Sequence, residues 1–242
     1  MRIERIAAMG HPMAYDRYAI YWLPRPNTPL AAFARDWLGG DPETGEAHPP
    51  RALHGLDAGL IERATASPRR YGCHATMKAP FRLRDGASEA ELSAALGRFC
   101  SHRRRARSGR LRLQRLWRYL ALTVTDASAE IDWLADECTT HFDSFRAPLS
   151  EADLARRPRD LPPEAMRNLE QFGYPEIFGR FLFHITLAGP LEASELASVE
   201  TALASAVEPF TREPFAIEDL CLCGDPGQGG LFKVLSRHPL IR

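Results

Sequence analysis

The sequence predicts an α+β fold built twice: a single bilobal domain over residues 1–242 in which two antiparallel sheets face a central cleft, with helices outside. Three observations carry this expectation. The stretch RYGCHATMKAP (residues 70–80) is echoed by RFLFHITLAGP (residues 180–190), each with aromatic residues before an H-x-T triplet and a proline after it. Each triplet is followed by a helix opening on S-x-x-E or E-x-S-x-x and then by strands. Residues 70–124 and 180–237 therefore run through one order of elements, which reads as an internal duplication with one motif in each lobe. Finally, 242 residues with 45% hydrophobic content supply a sizeable core, suited to one large domain or two small lobes sharing a cleft.

The elements follow in order. RYAIYWLP (17–24) is aromatic and β-branched before its prolines, and reads as a strand. TPLAAFARDWLGG has apolar residues at 30, 33, 34, 37 and 38 and then two glycines, a short amphipathic helix with a glycine stop. DPETGEAHPP is a loop by composition, and GLDAGLIERATASP a second short helix. Residues 70–84 are strand material interrupted by Pro80. SEAELSAALGRFCSH opens on a capping-box signature and keeps helical period. Leu111 and Leu113 alternate with Arg110 and Arg112, a half-buried strand, and residues 119–124 continue as a second strand piece. SAEIDWLADECTTHFDSF is a helix. Residues 146–175 are polar and rich in proline and arginine, and read as an insertion or lid. RFLFHITLAGPL is a strand and EASELASVETALASAVEPF a helix. PFAIEDLCLCGD and GGLFKVLSRHPL pair as strands across a glycine-rich turn.

The bulk numbers exclude several classes. Charge is balanced, 31 basic against 31 acidic residues, so no global field points to nucleic acid or an anionic membrane. No apolar run approaches the roughly 18 residues of a membrane-spanning helix. MRIERIAAMGHPMA interrupts its apolar residues with charges and lacks a signal-peptide core, which predicts a cytoplasmic protein. The five cysteines are scattered, and Cys221 and Cys223 form C-x-C rather than the C-x-x-C of zinc or redox sites. They read as buried small apolar residues of a reduced protein. No metal or other cofactor is expected.

The chemistry rests on the two triplets. Residues two apart on a strand share a face, so His74 and Thr76 point one way, as do His184 and Thr186. The same parity adds Lys78 to the first pair and Arg180 to the second, and turns Cys73 away. Two lobes related by a pseudo-twofold then collect two imidazoles, two hydroxyls and two cations in one cleft. That set suits a phosphodiester. With a reference pKa near 6.5, one imidazole can be neutral and the other protonated, so one takes a proton from the attacking oxygen while the other gives one to the leaving oxygen. Threonine hydroxyls can donate to the non-bridging oxygens as charge builds, and the cations can neutralise the substrate. Which histidine is acid and which is base stays open. Either triplet alone is a short pattern common by chance, and a histidine in a strand is more often structural. Two in matching positions of a repeat carry the signal.

These residues make the chain resemble the 2H phosphoesterase superfamily, whose two H-x-[ST] motifs HAT (74–76) and HIT (184–186) match. Within it the chain most closely resembles a bacterial subgroup found with phosphonate-degradation operons, through RYAIYWLP, WLGGDPETG, RRYGCHATMKAPFRL, GRFLFHITLAGPL and FKVLSRHPL. The resemblance implies a bilobal 2H-phosphoesterase-like fold, no metal, and hydrolysis or transfer at a phosphodiester, often a 2′,3′-cyclic one. It carries His74, Thr76, His184 and Thr186 over as the catalytic set. The operon association implies a sugar cyclic phosphate such as a ribosyl 1,2-cyclic phosphate. Residues 1–13 extend beyond the usual start of that subgroup, which lies nearer Met13.

Further substrate contacts are expected from Tyr71 and from a tyrosine of the first strand, Tyr18, which parity alone does not separate from Tyr21. Lys233 reads as a solvent-exposed lysine on an edge strand, and the six histidines outside the triplets have no assigned role. Nine arginines in residues 98–118 raise an alternative, a non-catalytic RNA- or nucleotide-binding protein. A solvated turn and outer strand face explain them better, since no aromatic interleaves until Trp117 and Tyr119. The expected partner is a small phosphodiester, with RNA less favoured and no membrane; oligomeric state is not legible.

Overall fold

The computed structural model describes residues 15–155 and 160–242. The N-terminal segment read above for a leader, with His11 and Met13, lies outside the described residues, as do residues 156–159 of the 146–175 segment. The elements are β1 (Arg17–Trp22), α1 (Pro29–Leu38), β2 (Gly40–Asp41), β3 (Glu46–Ala47), α2 (Ala58–Arg69), β4 (Ala75–Phe81), α3 (Glu89–Cys100), β5 (Ala106–Leu116), β6 (Tyr119–Val124), α4 (Ala129–His141), α5 (Glu151–Ala155), α6 (Pro163–Phe172), β7 (Ile185–Ala188), α7 (Ala193–Val207), β8 (Pro214–Ile217), β9 (Asp219–Asp225) and β10 (Lys233–Pro239).

Local chemistry sets the helix ends. Thr28 caps α1 by accepting from the Ala31 amide, Pro29 supplies a φ suited to the first turn, and Gly39 ends the helix in the left-handed region at φ 74°. α3 starts on a complete capping box between Ser88 and Glu91. The GP that follows the second triplet has a steric reason: Gly189 adopts φ 116°, and a Cβ there would lie 2.5 Å from the Arg118 carbonyl oxygen.

Two four-stranded antiparallel sheets result, ordered β10-β9-β1-β4 and β7-β6-β5-β8. The strands carrying the H-x-T motifs, β4 and β7, each lie at the edge of a sheet. The repeat units seen in the sequence are not the sheets. Residues 70–124 give β4 to one sheet and the β5–β6 hairpin to the other, and residues 180–237 give β7 and β8 to one and β9–β10 to the other. PFAIEDLCLCGD, expected as one strand, is two strands that break at Glu218, where the chain passes between sheets. The reason is non-local: α3 runs against β9 and β10, and the chain leaving it enters the second sheet as β5, on which the edge strand β8 pairs.

This exchange joins the halves. A single hydrophobic cluster includes Tyr18 and Ile20 of β1, Leu120 and Leu122 of β6, and Ile185 and Leu187 of β7. The buried Trp37 of α1 donates its indole N–H to the Leu187 carbonyl at 2.8 Å, tying a helix that precedes the first motif to the strand of the second. No helix among the described residues is long and apolar enough to cross a membrane.

Candidate active site

Both motif histidines stand one residue ahead of their strands, and both are held in one way. His74 Nδ1 lies 3.1 Å from the Gly72 carbonyl oxygen and His184 Nδ1 lies 2.8 Å from that of Leu182. A carbonyl only accepts, so each Nδ1 carries the proton and each Nε2 is the basic nitrogen of the neutral ring. Gly72, at φ 72°, takes a left-handed turn that few residue types adopt easily, and its carbonyl is the one that holds His74. In RYGCHAT the glycine therefore serves the histidine.

The two rings differ in surroundings. His74 is half-buried, with the Tyr21 ring 4.2 Å away and the Tyr71 ring 5.7 Å away, whereas His184 is exposed. Burial pushes the His74 pKa down to about 4, against a smaller upward pull from the Gly72 carbonyl, and the charge of His184 pushes it the same way as burial. His184 is thus near enough to act on His74 electrostatically, which brings the two motifs to one site.

Beside these rings lies a cavity of about 280 Å³, whose lining does not include His74. His184, Thr186 and Thr76 line it directly, with Arg180 beside them. Thr76 sits opposite Tyr21 of β1 and Thr186 opposite Ala121 of β6, so each hydroxyl comes from a hydrogen-bonded strand. Arg180 bonds Glu176 through Nη2 at 3.0 Å, while its Nε is buried without a protein partner among the described residues. Strand parity is not what places Arg180: residues 178–180 form a 3-10 turn, and the expected strand from 180 is extended only as β7 from Ile185.

Three other expected contacts land elsewhere. Lys78 is absent from this cavity. It is buried and donates to the Thr139 carbonyl (2.9 Å) and to Asp143 (3.3 Å). The register between β1 and β4 slips by one residue, pairing Tyr21 with Thr76 but Ile20 with Lys78, so alternation does not carry from Thr76 to Lys78. Tyr18 is buried in the large core, and its hydroxyl donates to Glu89 of α3 at 3.1 Å; Tyr21 is the first-strand tyrosine on the His74 side. Tyr71 packs between His74 and Phe232, touching the imidazole rather than lining the cavity.

The sequence reading missed much of the wall. Trp117 and Tyr119, from the β5–β6 hairpin, and Asp136 and Thr139, from α4, all line the cavity, as do Tyr174 and Glu176. Burial raises the Asp136 pKa, with a further push from Asp132. Trp117 is 89% exposed and held at φ 52°; an aromatic residue in a hairpin turn was the one available signal. Of the arginine-rich segment, Arg103, Arg105, Arg115 and Arg118 are ion-paired with Glu137, Glu218, Glu200 and Glu192. Part of its charge is thus matched within the protein. Lys233 is half-buried on β10, at the other edge of the first sheet from β4.

The family model described as "Protein of unknown function (DUF1045)" matches residues 76–233. Two curated proteins named ribose 1,5-bisphosphate phosphokinase PhnN are similar. The one from Janthinobacterium sp. (strain Marseille) is 34% identical over 228 residues, and the one from Laribacter hongkongensis (strain HLHK9) is 30% identical over 221. The matches cover 92% and 90% of this chain but 50% of each relative, so the chain spans about half the length of the curated relatives it matches. Among solved structures, E. coli LigT complexed with 3′-AMP aligns over 94% of this chain and 99% of its own, at 14% identity and a TM-score of 0.44. A Thermus thermophilus protein, TT0787, aligns over 93% and 97% at 15% identity and a TM-score of 0.42.

Proposed function

This chain belongs to the DUF1045 family, and from that premise we propose that it is a metal-independent phosphodiesterase that hydrolyses a small cyclic sugar or nucleotide phosphodiester by two-histidine acid–base catalysis. The observation that supports it is the matched pair: two imidazoles with the same Nδ1 tether, electrostatically coupled, with the threonines of both motifs in one cavity.

The roles follow from the surroundings. Burial keeps His74 neutral, so its Nε2 is the general base that takes a proton from the attacking water. The new bond joins that oxygen to phosphorus, the ring ester bond breaks, and His184 as imidazolium gives its proton to the departing oxygen. Thr76 and Thr186 donate to non-bridging oxygens, and the Arg180 guanidinium, with its unpartnered Nε, offsets the developing charge. Each proton transfer accounts for roughly 10²–10⁴-fold in rate.

The resemblance to the phosphonate-operon subgroup supports a ribosyl 1,2-cyclic phosphate as substrate, in phosphonate metabolism. The name of the relatives, which refers to ribose 1,5-bisphosphate, points to the same sugar. Five buried free cysteines support a reduced, cytoplasmic setting. The RNA-binding alternative is less supported, given the ion-paired arginines. The test is hydrolysis of ribosyl 1,2-cyclic phosphate and of 2′,3′-cyclic nucleotides with chelator present. Loss of at least roughly 10²-fold is expected in His74→Ala and in His184→Ala; full activity in either variant would sink the proposal.

A further inference from the structure

We propose that Asp136 determines which phosphodiester this site accepts: its carboxylate binds free hydroxyl groups of the substrate, so that esters of polyhydroxylated groups, sugars above all, are selected over esters without such hydroxyls. This rests on the phosphodiesterase reading of the cavity and adds to it a residue that neither H-x-T motif contains. Asp136 and Thr139 lie three residues apart on α4, hence on one face of the helix, and both line the cavity with Thr76, Thr186 and His184.

The argument is one of charge. A half-buried carboxylate is costly to ionise unless a cation or hydrogen-bond donors meet it. Burial and the charge of Asp132 both raise the Asp136 pKa, and the Phe178 amide, which donates to it, works the other way. No cation is among these influences. Arg180, which lines the same cavity, is held by Glu176 at 3.0 Å. The Phe178 amide fills one of about four acceptor positions on a carboxylate, so acceptor positions remain on a group that lines the cavity. A phosphoryl group is itself anionic and is repelled by Asp136, so it belongs with Thr76, Thr186 and His184. What the carboxylate attracts is a donor, and a hydroxyl bonded to a carboxylate makes the stronger, charge-assisted kind of hydrogen bond. Trp117, Tyr119, Phe178 and Phe181 supply apolar wall suited to the C–H face of a sugar ring. The substrate is thereby given a direction, with the ester toward the H-x-T residues and the hydroxyls toward α4.

The experiment compares kcat/KM for ribose 1,2-cyclic phosphate and for its 3,5-dideoxy analogue, which has the same ring and ester but no free hydroxyl, in the wild type, Asp136→Ala and Asp136→Asn. The wild type is expected to prefer the ribose ester by roughly 10–100-fold, the worth of one hydrogen bond to a charged group. Asp136→Ala is expected to cut that preference by about 10-fold or more. Asp136→Asn keeps one acceptor oxygen and is expected to retain part of it. An equal loss on both esters in Asp136→Ala would show that Asp136 only supports the turn at Phe178 and would overturn the inference, as would a preference that survives unchanged in both variants. A 5-amino-5-deoxy analogue, cationic at neutral pH, that the wild type turns over better than the ribose ester would assign the carboxylate to a cation and overturn the hydroxyl reading. Each of these results leaves the phosphodiesterase standing. Hydrolysis of none of these esters, nor of 2′,3′-cyclic nucleotides, would overturn the phosphodiesterase reading and this inference with it.

Discussion

His74 should not titrate like an ordinary histidine, and the pH profile of the proposed activity should show it. Its pKa falls from 6.5 to about 4, with burial the larger cause and the charge of His184 the smaller. At 1.36 kcal/mol per unit, charging the ring inside the protein costs roughly 3 kcal/mol more than in water. As the proposed general base it must be neutral, so the acid limb of kcat/KM should fall near pH 4 rather than near 6.5. Two substitutions separate the causes. Tyr71→Ala removes a half-buried ring 5.7 Å from the imidazole and admits water, which should raise the limb by on the order of 1 unit. His184→Gln removes the repelling charge and should raise the His74 pKa by a smaller step, roughly a few tenths of a unit. The assay is kcat/KM from pH 3.5 to 9 for the wild type and Tyr71→Ala, with an NMR titration of the His74 imidazole in all three proteins. A wild-type His74 titrating near 6.5, or one indifferent to His184→Gln, would refute the shared site.

The remaining predictions use the same geometry. As pH falls from 6.5 toward 4, the unfolded chain binds a proton at His74 that the folded protein refuses, so stability should drop through that window by up to roughly 3 kcal/mol. Urea unfolding at pH 7.5 and 4.5 should show a smaller drop in His74→Gln. Ser88→Ala breaks the capping box of α3, which packs on β9 and β10, and should cost about 1 kcal/mol in urea unfolding with unchanged kcat/KM. Trp117→Gly relieves a left-handed backbone at φ 52° and uncovers little, since the side chain is 89% exposed. Stability should hold or rise by about 1 kcal/mol, while kcat/KM drops by roughly 10-fold if the indole covers bound substrate.

The site was partly legible because some of its determinants are local. H-x-T places a histidine and a threonine two residues apart on extended chain, and both threonines do line one cavity. The recurrence at 184 pointed to His184 and Thr186, which line the cavity together with Thr76. Helix ends such as Thr28, Gly39 and Ser88–Glu91 were readable because caps form within a few residues. Lys78 was misplaced because a register slip against β1 interrupts the alternation, and nothing in MKAP announces it. Tyr18 and Tyr21 could not be told apart because sidedness depends on which face α3 covers. Asp136, Thr139 and Trp117 come from elements with no catalytic pattern of their own; they reach the cavity because α4 packs on β4 and the β5–β6 hairpin pairs with β7.

By itself, the sequence determined the chemical content of the protein: two imidazole–hydroxyl pairs, balanced charge, and an ordered run of helices and strands whose periods and caps depend on near neighbours. Tertiary structure decided how these were shared out. Strand pairing is a contact between residues far apart in the chain. Only the folded molecule could send β5–β6 and β9–β10 to the opposite sheets, break PFAIEDLCLCGD at Glu218, and set Arg180 on a turn in the cavity that His184 lines. It also decided the difference between the histidines. The two motifs offer the same residues and the same carbonyl tether, yet Tyr21 and Tyr71 desolvate His74 while His184 faces water. Burial, which no local pattern encodes, is what makes two equal imidazoles unequal.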